Sequence, residues 1–105
     1  QPVGMMVEFR NKYRISSNKE SGLGRYDIML EPKEKGEDAF IIEFKVVHTR
    51  RGETPEDALK SALEQIEKKK YASVLCERGV SPEKIWKYGF VFKGKEVLIG
   101  DNTSL

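Results

Sequence analysis

Apolar and polar positions alternate most clearly between Ala39 and Val47. Phe40, Ile42, Phe44 and Val46 fall on one face of an extended strand, and Ile41, Glu43, Lys45 and Val47 on the other. Arg25 to Leu30 reads as a second strand. The polar turn from Glu31 to Asp38, with Pro32 and Gly36, joins the two into a long-looped hairpin. Upstream, Met5, Met6 and Phe9 mark a short helix or helix tail, Tyr13 to Ser17 a short strand, and the Ser-, Gly- and Asn-rich run from Ser16 to Gly24 a loop.

Past the charged loop His48 to Glu53, the pattern changes to a helical period. Thr54 is placed as an N-cap, Pro55 as the first helical residue and Asp57 as the third residue of a capping box. Ala58, Leu59, Ala62, Leu63 and Ile66 share one face. The stripe then moves to Tyr71, Val74 and Leu75, which predicts a break near Lys69 to Tyr71. Gly79 is a C-terminal stop, and Ser81-Pro82 restarts the chain. Ile85 to Phe92 and Glu96 to Ile99 are strands joined at Lys93-Gly94. The order α-β-β-β-α-β-β predicts an α+β, or mixed α/β, domain.

The chain of 105 residues is long enough for one domain and too short for two. With 38% hydrophobic and 34% charged residues it has the balance of a small globular domain with one core. A net charge of +2 is too slight to argue for nucleic acid by itself. Cys76 is the only cysteine, so an intrachain disulfide and a cysteine zinc site are excluded, and a reducing, cytoplasmic setting is expected. Cys76 itself reads as a small buried hydrophobe. No apolar run approaches the roughly 18 residues of a membrane span, so no membrane partner is expected. The chain opens on Gln1-Pro2 in what reads as the middle of an amphipathic segment, which predicts a domain excised from a longer protein.

Charge inside an apolar strand raises a chemical question. Glu43 and Lys45 lie on the same face, about 6–7 Å apart. Folding the hairpin about Lys35 sets Asp27 opposite Glu43, Met29 opposite Ile41 and Arg25 opposite Lys45. Asp27, Glu43 and Lys45 then form one cluster. Two carboxylates this close repel, and in a half-buried setting one protonates unless a cation sits between them. Lys45 fills that need in a structural ion pair, which is the plain reading of an acid-x-Lys strand. A divalent metal fills it too, because two carboxylates are what Mg²⁺ commonly takes from a protein.

Asp27 followed by Glu43-x-Lys45 on the next strand resembles the PD-(D/E)XK nuclease pattern. The stretches SNKESGLGRYDIML (17–30), IIEFKV (41–46), ALEQIEKKKYA (62–72) and IWKYGFVFKGKEVLI (85–99) resemble one branch of that superfamily. That branch is the nuclease-like domain at the C-terminus of AAA-ATPase-like proteins of bacteria and archaea.

The resemblance implies a restriction-endonuclease-like αβββαβ core, a mixed sheet flanked by helices with the first helix truncated. It implies a Mg²⁺- or Mn²⁺-dependent domain hydrolysing DNA phosphodiester bonds. Asp27 and Glu43 match the metal ligands, with the Phe44 carbonyl as a further ligand. Lys45 matches the catalytic lysine, and Gln65 a polar residue beside the site. The implied partners are DNA or RNA and the AAA-ATPase-like portion of the parent chain, with a second copy of the chain as a further candidate.

Two departures stand out. The residues before Asp27 are Arg25-Tyr26, without the usual proline, and Glu8 has no clear match in the shortened first helix. They keep open a competing reading: an inactive nuclease-fold module that binds nucleic acid or docks to its parent ATPase. SGLGR (21–25) lacks the Gly-Lys-Ser/Thr of a phosphate loop.

Arg25, Arg50, Arg51 and Lys69 are candidate phosphate contacts, which carry affinity without sequence information. Lys69 and Gln65 lie one helical turn apart, at the edge of the apolar face; snorkelling of Lys69 past the core to water is an equal alternative. Glu20 reads as a loop residue and His48, the single histidine, likewise. Trp86, Tyr88, Phe90 and Phe92 alternate along the late strand and read as core.

Overall fold

The computed structural model describes residues 10–20, 25–47 and 52–102. Its strands are β1 (Tyr13–Glu20), β2 (Arg25–Pro32), β3 (Ala39–Val46), β4 (Ile85–Lys93) and β5 (Glu96–Gly100). Two helices, α1 (Pro55–Lys68) and α2 (Tyr71–Glu77), and a 3₁₀ turn at Pro82–Lys84 lie between β3 and β4. The strands form one mixed sheet in the order β1-β2-β3-β4-β5. The first three form an antiparallel meander, β3 and β4 pair in parallel, and β5 returns antiparallel. The parallel step needs a crossover, and α1 and α2 provide it. This is an α+β architecture consistent with the restriction-endonuclease-like fold.

Local signals explain the helix ends. Thr54 is extended, and its hydroxyl oxygen accepts a hydrogen bond from the Asp57 amide at 3.1 Å. Pro55 follows, and Glu56 and Asp57 place negative charge on the positive end of the helix dipole. The expected break falls where the apolar stripe shifts: α1 ends at Lys68, and Lys70 takes a left-handed conformation, φ 57°, before α2 begins. Gly94 opens the two-residue turn between β4 and β5 at φ 58°, as a type II′ turn requires of its first position.

Both helices cover the sheet face that carries the odd-numbered residues of β2, β3 and β4. Ala58, Leu59, Leu63 and Ile66 of α1, with Leu75 of α2, pack against Met29, Ile41 and Val91. Gly89 permits the close approach of α1: a Cβ there would lie 2.7 Å from Leu59 Cδ1 and 3.3 Å from Ala62 Cβ.

Three expectations are corrected. The strand expected at Tyr13 to Ser17 runs on through Asn18 to Glu20, which were read as loop, because β1 pairs with β2 along its whole length and the ladder outweighs local turn preference. Cys76 is exposed rather than buried: on the short α2 it follows Leu75, which takes the core position. Trp86 is 44% exposed, since it lies on the even-numbered face, away from α1 and α2. The helix expected around Met5 to Phe9 lies outside the described residues.

Candidate active site

The middle of β2 and β3 carries charge into the covered face. Asp27 is level with Asn18 of β1 on one side and Glu43 of β3 on the other. Glu43 is level with Gly89 of β4, and Lys45 with Arg25 and Val91. The register is the one expected from a hairpin folded about Lys35. All three side chains are buried: Asp27 is 3% exposed, Glu43 0% and Lys45 6%.

The two carboxylates converge on one point, and a lysine ammonium occupies it. Lys69 Nζ donates to Asp27 Oδ2 at 2.6 Å and to Glu43 Oε1 at 3.3 Å. Lys69 caps the C-terminus of α1, so the helix that packs on Gly89 delivers its last side chain to the acids of β2 and β3. The other Asp27 oxygen, Oδ1, accepts a hydrogen bond from the Tyr71 hydroxyl at 3.0 Å. Burial pushes the Tyr71 phenol above its ordinary pKa. Asp27 adds to that rise, while the Asn18 amide and the Lys69 ammonium act against it. Tyr71 therefore stays protonated and remains a donor to Asp27.

Lys45 turns elsewhere. Its ammonium donates to Glu53 Oε2 at 2.9 Å, with the two side chains 8% and 27% exposed. Glu53 lies immediately before the Thr54 cap, so the start of α1 fixes the partner of Lys45 and the end of α1 fixes the partner of Asp27 and Glu43.

Of the residues singled out from sequence, Asp27, Glu43, Lys45 and Lys69 are brought together. Lys69, expected at the rim facing nucleic acid, has its ammonium on the carboxylates. Gln65 is half-buried one turn before it and accepts the Lys69 backbone N–H at 3.0 Å through its carbonyl; Lys69 and Tyr71 donate side-chain hydrogen bonds to the acids. Arg25 is half-buried on the same face as Asp27. The Phe44 side chain points to the opposite face and stacks on Tyr26, ring centroids 4.4 Å apart. Arg50, Arg51 and His48 lie outside the described residues. Tyr71 and Glu53 went unsingled in the sequence. The Lys69-x-Tyr71 pair at the helix break held a signal for Tyr71, because a stripe that shifts there aims new residues at the sheet. Glu53 carried none.

A buried acid pair closed by one lysine, on two antiparallel strands beside a parallel crossover, is a constellation that can be compared with known families. A family model of the PD-(D/E)XK nuclease superfamily matches residues 3–102. The chain belongs to the PD-(D/E)XK nuclease superfamily. No curated protein and no solved structure matches it.

PD-(D/E)XK nucleases generally use divalent metals. Among the described residues, no group of three or more His, Cys, Asp or Glu side chains is placed to hold a metal ion. The donor set nevertheless fits a hard cation. Two buried carboxylates offer one oxygen each to a shared point already chosen by a positive charge, and Mg²⁺ characteristically takes one or two carboxylates and keeps several waters.

Proposed function

We propose that this PD-(D/E)XK domain is a metal-dependent nuclease that hydrolyses phosphodiester bonds of DNA. The observation that carries the reading is the convergence of the buried Asp27 Oδ2 and Glu43 Oε1 on one cation position. Asp27 and Glu43, with the Phe44 carbonyl, would hold Mg²⁺ or Mn²⁺. A divalent cation held there supplies Lewis acidity and a water of lowered pKa. Lys45, which shares a sheet face with Glu43 and is held by Glu53, would align the attacking water and offset charge building on the phosphate. Gln65 helps to position that water. Arg25, Arg50, Arg51 and Lys69 contact the nucleic-acid backbone. The reaction breaks one phosphorus–oxygen ester bond by direct attack of water, without a covalent intermediate.

The resemblance of four stretches to the domain attached to AAA-ATPase-like proteins supports an ATPase portion of a longer parent chain as the working partner. A second copy of the chain would pair through the even-numbered sheet face, where Tyr26, Val46 and Trp86 are exposed. No helix among the described residues is long and apolar enough to cross a membrane; the single cysteine is what supports a reducing, cytoplasmic setting.

The test is plasmid cleavage with Mn²⁺ or Mg²⁺, read together with calorimetric metal binding. The wild type is expected to nick and to bind. Asp27→Asn and Glu43→Gln should lose both, while Lys45→Ala keeps binding and loses about 10²-fold or more in rate. Nicking that survives in all three variants would reject the assignment. One observation favours a second reading: Lys69 already neutralises the two acids. In that reading the acids and lysine are a permanent ion cluster, and the domain binds nucleic acid or its parent ATPase without cutting. It predicts DNA binding without metal response or cleavage.

A further inference from the structure

Lys69 stands where the proposed metal would stand, and that juxtaposition has consequences. Its ammonium reaches both acids, at 2.6 and 3.3 Å, and its side chain is only 17% exposed. The oxygens that a divalent cation would take, Asp27 Oδ2 and Glu43 Oε1, are the ones that accept from Lys69. With Lys69 still in place, the two cations would compete for the same oxygens and repel at short range.

We infer that Lys69 is a built-in, displaceable counter-ion: it holds Asp27 and Glu43 together in the metal-free protein and leaves them when a divalent cation binds. The inference rests on the nuclease reading above and adds a regulatory residue to its site.

The surrounding structure is arranged for such an exchange. The Lys69 backbone is pinned at the end of α1, its N–H donating to the Gln65 carbonyl at 3.0 Å. The exchange is therefore a rotation of a flexible four-carbon stem and leaves the helix in place. Tyr71 donates to Asp27 through Oδ1, whereas Lys69 uses Oδ2. When Lys69 departs, Tyr71 still fixes the Asp27 carboxylate, and the oxygens released are Asp27 Oδ2 and Glu43 Oε1. The left-handed Lys70 separates the two donors onto different helices, so the lysine moves while the tyrosine stays. Lys69 is a positioning residue in this scheme, acting through the acids.

The experiment is amine footprinting of the whole chain by reductive methylation, read by mass spectrometry, with Mn²⁺ alone as the probe. Lys60, exposed on α1, is the internal reference. Labelling of Lys69 should rise severalfold on adding Mn²⁺ while that of Lys60 stays constant. In parallel calorimetry, Lys69→Met should bind Mn²⁺ about tenfold more tightly than the wild type or better, having lost its internal competitor. Binding by Lys69→Met alone would show that Lys69 is not displaced in the wild type and would overturn the inference. Measurable Mn²⁺ binding with unchanged Lys69 labelling would overturn the inference and leave the nuclease reading standing. Absence of Mn²⁺ binding in both proteins would overturn the nuclease reading and the inference together. Should Lys69→Met fail to fold, the wild-type footprint decides alone.

Discussion

Asp27 and Glu43 show what a buried charge requires of its neighbours. Neither is tolerable in a low-dielectric setting without a cation, and removing one partner of such a cluster commonly costs about 3–5 kcal/mol. The acids were legible from sequence because a strand alternates strictly: once Phe40, Ile42 and Phe44 take one face, Glu43 and Lys45 must share the other. The partners were not legible in the same way. A lysine has a long stem, and its position on a helix does not say which of several acids it reaches. Lys45 was one of two cations considered for the place between the carboxylates, the other being a metal; it pairs with Glu53, while Lys69 takes the central position. At the sheet edge, Tyr13 gives a pH prediction away from the site. Its hydroxyl donates to the Asp38 carbonyl at 2.9 Å, and burial first, then the carboxylates of Glu37 and Asp38, raise its pKa. A raised value means that the folded state holds this proton more tightly than the unfolded chain. The contribution is therefore complete below the ordinary tyrosine value of about 10 and is lost as the pH climbs through the folded value. Denaturation curves from pH 8 upward should show Tyr13→Phe with a shallower alkaline loss than the wild type; equal slopes would contradict this.

Element by element, the site depends on how closely α1 lies on the sheet. Leu59 and Ala62 occupy the space above Gly89, and Gly89 is level with Glu43. A methyl at position 89 would sit 2.7 Å from Leu59 Cδ1 and would lift or tilt the helix that ends in Lys69. Gly89→Ala is expected to destabilise by about 1–3 kcal/mol, the usual range for overpacking. It should also weaken Mn²⁺ binding, because the end of α1 moves relative to the acids. An unchanged melting temperature in Gly89→Ala would show that α1 does not press on the sheet there. The helix start, its break and its apolar face were all readable, since caps and periodicity act locally. The extension of β1 from Asn18 to Glu20 was not, because these polar residues become extended only through pairing with β2.

For the molecule as a whole, one sheet serves two surfaces of different character. The odd-numbered face is covered by α1 and α2 and holds the acids and lysines. The even-numbered face carries Tyr26, Phe44, Trp86 and Phe90, half-buried to exposed. The α+β class and both hairpins were legible in the order of elements, and the mixed sheet in the family resemblance; the parallel pairing of β3 with β4 and the strand order come from the structure. What the order of elements does not fix is which cation neutralises the centre, and that choice separates a nuclease from an inert relative. The most direct measurement is anomalous diffraction from crystals of the wild-type chain soaked in Mn²⁺. A manganese peak between the carboxylates of Asp27 and Glu43, with the Lys69 ammonium withdrawn, is the predicted result. Crystals that bind manganese elsewhere, or keep Lys69 on both acids at saturating Mn²⁺, would contradict it.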